Sequence, residues 1–187
     1  GEWKDHETLK IQYSGRDLQK RVFGIWGMGQ IGRELASLLQ GFSMEVLYSD
    51  IRPLSPEEEK RWNVSRVEFR ELLERSDYFC VLVPHNASTD QIFGKEAFSS
   101  MKKGCIFINT ARAGIVDRAA FVEAMENGIL GAAALDVTWE EAKPQPEDLL
   151  RFKNLIFTPH LGGSTFECDA FLVRGILDAA GFGEKTV

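Results

Sequence analysis

Short apolar runs alternate along this chain with stretches whose apolar positions recur every three or four residues. Runs of the first kind read as strands and stretches of the second kind as amphipathic helices, so the chain is expected to fold as alternating βαβ units. Strands are predicted at 22–26, 44–48, 64–67, 78–83, 105–109, 132–137 and 155–158. Helices are predicted at 30–40, 68–74, 95–101, 118–127 and 166–180, with Asp117 as N-cap and Gly128 as C-cap of the fourth. In the first helix Ile31, Leu35, Leu38 and Leu39 fall on one face. Residues 51–61, with two prolines and a cluster of acids, read as a charged loop, and the proline-broken 140–148 as a second. Seven strands joined in this way suit an α/β fold, a doubly wound parallel sheet.

One junction carries more than architecture. The run Val22-Phe23-Gly24-Ile25-Trp26 leads directly into Gly27-Met28-Gly29-Gln30-Ile31-Gly32, and the first helix follows. A GxGxxG placed between strand and helix is the pattern of a dinucleotide-binding turn, which makes the expected sheet a Rossmann fold. Gly27 would permit the tight turn, Gly29 would let the backbone approach a pyrophosphate, and Gly32 would let the helix pack close to its strand. The helix N-terminus adds N–H donors and the positive end of its dipole. Asp50 closes the second strand run eighteen residues past Gly32, where a carboxylate can accept the ribose hydroxyls and repel a 2′-phosphate. NAD is therefore expected over NADP, with Arg52 pulling the other way. The bland alternative, a ligand-free glycine turn beside a surface Asp, needs all these features to coincide by accident.

Ligands of such sheets sit at the carboxyl ends of the strands. Three polar residues fall there: Arg112 past strand 105–109, Glu141 past strand 132–137 and His160 past strand 155–158. Arg112 alone would read as a surface or capping arginine, and Glu141 alone as a solvated acid. His160 stands out, because it follows Pro159 and precedes the glycine-rich Gly162-Gly163-Ser164-Thr165. His6 lies in a polar leader, and His85 is expected to line a loop near the cofactor rather than to do chemistry. Trp26, Trp62 and Trp139 are read as packing residues. Cys80, Cys105 and Cys168 are odd in number and lack metal-ligand spacing, so no metal site is expected and reduced, mostly buried thiols are.

Taken together, Gly27–Gly32 with Asp50, Val83-Pro84, Asn109-Thr110-Ala111-Arg112-Ala113-Gly114-Ile115-Val116-Asp117, Ala134-Leu135-Asp136-Val137 and Thr158-Pro159-His160-Leu161-Gly162-Gly163-Ser164-Thr165 resemble the NAD-binding domain of the D-isomer-specific 2-hydroxyacid dehydrogenases over nearly the whole chain. The run from His160 to Thr165 is similar to that of phosphoglycerate dehydrogenases. The resemblance implies a hydride transfer between NAD(H) and a 2-hydroxy or 2-keto acid. It makes Arg112 the grip on the substrate carboxylate and keto oxygen, His160 the acid/base, and Glu141 the partner of the histidine. It also implies cofactor contacts at Gly27, Gly29, Gln30, Ile31, Gly32, Asp50, Val83, Pro84, Thr89, Thr110, Ala111, Arg112, Asp136, His160 and Gly162. Ala113 departs from the family's usual Gly and Ala142 from its usual Pro, which leaves Glu140 as a rival to Glu141. Family members carry a separate substrate lobe, almost none of which is expected within this chain. The expectation is an excised or truncated domain spanning 1–187, with 1–20 leading in and 166–187 starting the helix that returns to the missing lobe.

Bulk properties change this picture little. With 187 residues, 44% hydrophobic, the chain can bury the core of one domain. A net charge of −6 without a Lys/Arg cluster argues against nucleic acid or an anionic membrane as partner, and no apolar run approaches the length of a membrane span. A cytoplasmic homodimer, paired through this domain and acting on a small-molecule substrate, is expected. The alternative from another class is a dinucleotide-responsive interaction module of the corepressor type, whose C-terminal binding proteins resemble the same family.

Overall fold

A computed structural model of the chain describes residues 14–139 and 147–168, together with 170, 171 and 174. Seven strands form its centre: β1 (Val22–Trp26), β2 (Glu45–Ser49), β3 (Ser65–Arg66), β4 (Tyr78–Val81), β5 (Cys105–Asn109), β6 (Leu130–Leu135) and β7 (Leu155–Phe157). Every pairing is parallel, in the order β3-β2-β1-β4-β5-β6-β7. The chain grows outward from β1 to β3, crosses the sheet, and grows the other way from β4 to β7. That reversal opens a crevice at the carboxyl ends of β1 and β4, as a doubly wound sheet requires.

The helices are α1 (Gln30–Leu39), α2 (Pro56–Trp62), α3 (Phe69–Arg75), α4 (Lys95–Ser99), α5 (Arg118–Glu126) and α6 (Glu147–Leu150). Residues of α3, α4 and α5 join the strands in a core of Leu72, Leu73, Phe79, Phe93, Phe98, Phe107 and Phe121. Phe93 meets Phe79 and Phe107 edge-on, with ring centroids 5.4 Å and 5.0 Å away. Burying each such side chain is worth about 1.5–3 kcal/mol, and the strand ends that carry the site are anchored to this cluster. Trp26 packs on Phe69, and Trp139 packs on Phe121 while its Nε1–H donates to the Val116 carbonyl at 2.9 Å. Trp62 is partly buried against a second core on the other face.

Several expectations need correction. Residues 51–61 are not all loop, because Ser55 and Glu58 cap α2 reciprocally with Pro56 in its first turn. Acids that looked like a solvated turn instead sit at the positive end of a helix dipole. The end of the second expected loop, 140–148, belongs to α6, pinned by the fully buried Leu149. On α1 the buried residues are Gly32, Ala36 and Leu39, whereas Ile31 and Leu38 are exposed. A Cβ on Gly32 would stand 2.4 Å from the Gly27 carbonyl oxygen, so the small residues must face the sheet. Strand β4 ends at Val81 rather than Val83, and β6 begins at Leu130, close behind Gly128, which takes φ +65° one residue past the C-cap Asn127. Asp117 caps α5 as expected, its side chain accepting from the Ala120 N–H. The predicted helix 166–180 lies mostly outside the described residues, although 166–168 are helical.

Candidate functional site

The glycine turn is built as the spacing implies. Gly27 takes φ +106°, and a Cβ there would lie 2.9 Å from the backbone of Leu82 and Val83, so this turn and the segment after β4 touch backbone to backbone. At Gly29 the space a Cβ would enter is open. No side chain caps the N-terminus of α1, and its first turn holds no acidic residue. The first helix N–H groups are therefore open to water or to an external anion. Asp50 follows β2 and is tied to the same turn: Oδ2 accepts from the Met28 N–H at 2.6 Å and Oδ1 from the Arg52 N–H at 2.8 Å. Each oxygen keeps a further lone pair for a ribose hydroxyl. The group fits a dinucleotide, whose pyrophosphate would lie at Gly29, Gln30 and Ile31 and whose adenosine ribose would lie at Asp50.

Beside the turn, Ile31, Leu82, Val83, Pro84, His85, Thr110, Ala111 and Arg112 line a cleft of about 470 Å³. Two strand-end loops shape it. Thr89 is buried behind one of them, and its hydroxyl donates to the Pro84 carbonyl at 2.8 Å. It braces the wall of the cleft from behind. In the other loop the buried Asn109 accepts from the Ala111 N–H and donates to the Arg112 carbonyl, both at 3.0 Å. The motif that begins with Asn109 gave this residue no role of its own, although an Asn at a strand end is a common maker of such turns. Arg112 itself is exposed, and its Nη1 donates to the Ala111 carbonyl at 2.6 Å.

Farther along the same sheet edge, Asp136 latches the loop that carries His160. Its Oδ1 accepts from the Thr158 hydroxyl at 2.5 Å and the Leu161 N–H at 2.8 Å, and its Oδ2 from the Gly162 N–H at 2.8 Å. His160 is exposed and holds a left-handed φ of +56°, a conformation that non-glycine residues adopt uncommonly. Burial of Asp136 opposes its ionisation, but the bonds from Thr158, Leu161 and Gly162, with the charge of His160, outweigh it and hold the carboxyl below its ordinary value. The stability this latch contributes is thus present above about pH 4, the range of a free carboxylate, and is lost as pH falls through the lowered folded value. Replacing Asp136 with Asn should cost roughly 2 kcal/mol at neutral pH, the scale of hydrogen bonds to a charged group. Thermal melts of both forms against pH check this, and the gap should close in acid; a constant gap would mean the carboxylate charge is irrelevant.

The remaining candidates divide plainly. Glu140, Glu141 and Ala142 lie outside the described residues. Cys80 and Cys105 are buried, and burial pushes both thiols up to about 12, so neither is a nucleophile at neutral pH. Among the described residues there is no helix long and apolar enough to cross a membrane.

Residues 1–162 match the family model described as D-isomer specific 2-hydroxyacid dehydrogenase, NAD binding domain. The chain is 38% identical over 168 residues to glyoxylate/hydroxypyruvate reductase B of Enterobacter sp. (strain 638), covering 89% of this chain and 51% of that protein. It thus spans about half the length of this curated relative. Among solved structures it is similar to the apo form of D-mandelate dehydrogenase from Rhodotorula graminis, with a TM-score of 0.83, 32% identity, and coverage of 91% of this chain and 51% of that one. It is also similar to D-lactate dehydrogenase with NAD+ from Lactobacillus jensenii, with a TM-score of 0.79, 27% identity, and coverage of 94% and 57%. By its glycine turn, its strand-end loops and the match along 1–162, the chain belongs to the NAD-binding domains of the D-isomer specific 2-hydroxyacid dehydrogenase family.

Proposed function

We propose that this chain is the cofactor-binding part of an oxidoreductase that interconverts a D-2-hydroxy acid and its 2-keto acid with NAD(H). The observation that carries the reading is convergence. The Asp50-tied glycine turn, the cleft that ends at Arg112 and the Asp136-latched His160 all lie at the carboxyl ends of strands in one sheet. Gly27, Gly29, Gln30, Ile31, Gly32 and Asp50 would hold the adenosine and pyrophosphate, and Val83, Pro84, Thr110, Ala111 and Gly162 the nicotinamide end, with Thr89 acting through Pro84. When bound there, NADH would supply the hydride for C2 of the keto acid.

In this reading the planar fork of Arg112 binds the substrate carboxylate and leans on the keto oxygen, where negative charge develops during reduction. His160 as imidazolium gives that oxygen its proton, and as neutral imidazole takes it back in oxidation. Histidine suits both directions because it titrates near neutrality. Glu141 as partner would favour the charged ring. Residues 1–187 would form one domain, with 1–20 leading in and 166–187 returning as a helix, and two copies would pair through it in the cytoplasm. The interaction-module reading has no observation in its favour.

The test is an assay of NADH oxidation with glyoxylate, hydroxypyruvate and pyruvate, using the smallest form of the protein that contains this domain and turns over. Turnover with D products from the last two substrates supports the reading. Products of L configuration, or no turnover of any 2-keto acid by any form, would overturn it.

A further inference from the structure

His85 and Asp90 form a histidine–carboxylate pair that the chemistry above leaves unused, with Nε2 and Oδ1 2.7 Å apart. The segment that carries them follows β4 and is braced internally. The Asn86 N–H donates to the Thr89 hydroxyl at 2.9 Å, and the Asp90 N–H donates to the Asn86 carbonyl at 2.9 Å. This segment is also stitched to the loop that carries Arg112, since the Gln91 N–H donates to the Gly114 carbonyl at 2.8 Å. The imidazole rests directly on Gly114, where a Cβ would stand 2.5 Å, 2.7 Å and 3.1 Å from ring atoms Cε1, Nε2 and Nδ1. The ring thus occupies a seat that only glycine leaves open, and it lines the same cleft as Ile31 and Arg112. With Nε2 engaged by Asp90, Nδ1 is the ring's remaining polar atom.

We infer that His85, held by Asp90 and seated on Gly114, is a binding residue for the nicotinamide-side ribose and phosphate of the dinucleotide. This rests on the reading that the dinucleotide's pyrophosphate sits at the N-terminus of α1. The shared chemistry is an oxygen-rich group reached by imidazole Nδ1. A neutral ring accepts there from a ribose hydroxyl, and a protonated ring donates to a phosphate oxygen. Asp90 is a positioning residue, because it fixes the proton on Nε2 and the ring's direction. His85 shares the lining of the cleft with Ile31, the second residue of α1, so its ring stands on the side of the loop that faces the glycine turn, while Asp90 holds it from the solvent side.

The experiment titrates the chain with NADH and, separately, with ADP, which carries the adenosine and pyrophosphate but lacks the nicotinamide riboside. His85→Leu, which keeps bulk but removes both nitrogens, should weaken NADH about tenfold, the effect of one hydrogen bond to a polar or charged ligand group, and leave ADP unchanged. Asp90→Asn should lose part of that factor, and Gly114→Ala should reproduce the loss by pushing the ring from its seat. NADH and ADP both unchanged in His85→Leu would overturn the inference and leave the pair as a surface contact. Equal weakening of both ligands would also overturn it, showing that His85 only supports the loop. Failure of ADP to bind the unaltered chain would instead overturn the placement of the pyrophosphate, so the two failures are distinguishable.

Discussion

Replacing His160 with alanine is expected to lower turnover by about 10²–10⁴-fold, the worth of one positioned general acid–base group, while NADH affinity stays near its original value. Arg112→Ala should lose a comparable factor, with KM for the keto acid rising as well, because in the proposed mechanism the fork would both bind the carboxylate and stabilise charge on the oxygen. Both side chains are exposed at strand ends beyond β5 and β7, away from Asp50 at the end of β2. That separation is why chemistry and adenosine binding should respond independently. Steady-state kinetics with a parallel NADH titration check both variants, and near-normal turnover in either would remove that residue from the mechanism. Glu141→Gln should mainly move the pH profile of kcat. A null effect there with a large one in Glu140→Gln would make Glu140 the partner of His160.

A second large effect concerns the 187-residue chain by itself. It should fold and bind NADH yet reduce 2-keto acids very slowly. The core around Phe79, Phe93 and Phe107 is built from residues of this chain, which is why folding without a partner is expected. Arg112 and His160, however, face solvent, where charge interactions are screened and a substrate is held by one fork from one side. Positioning of reactants in an enclosed site can be worth roughly 7–11 kcal/mol, far more than an acid/base group keeps without it. Stopped-time assays with glyoxylate, hydroxypyruvate and pyruvate check this. Brisk, stereospecific NADH oxidation by the chain alone would show that a second copy closes the site or that enclosure matters little.

The sequence showed the sheet well because parallel strands buried on both faces leave uninterrupted apolar runs, as in Val22–Trp26 and Cys105–Asn109. It showed α2 badly because that helix has no buried residue, and its signal was the Ser55–Glu58 capping box, which the acidic composition masked. The face of α1 misled for a related reason. Its apolar residues Ile31 and Leu38 look outward, while Gly32 and Ala36 join Leu39 on the buried face, and periodicity of large side chains does not register the first two. In the candidate site, residues whose chemistry announces itself were legible: the glycines, Asp50, Arg112 and His160. The polar groups that hold loops in shape were harder to place. Asp136, expected as a cofactor contact, also latches the His160 loop, and Asn109, which opens the motif carrying Arg112, shows its role only through its two hydrogen bonds to that loop. Such roles depend on which backbone atoms come within reach, and that is decided by the packing of distant strands.

In the proposed function the glycine turn and the carboxylate bonded to it make an NAD site. Calorimetric titration of the chain with NADH and with NADPH, before and after Asp50→Ala, tests it most directly. NADH should bind more tightly than NADPH, and removing the Asp50 carboxylate should narrow the gap, since a 2′-phosphate is no longer repelled and the ribose hydroxyls lose their acceptor. Binding of NADPH as tight as NADH in the unaltered chain, or no binding of either, would contradict it.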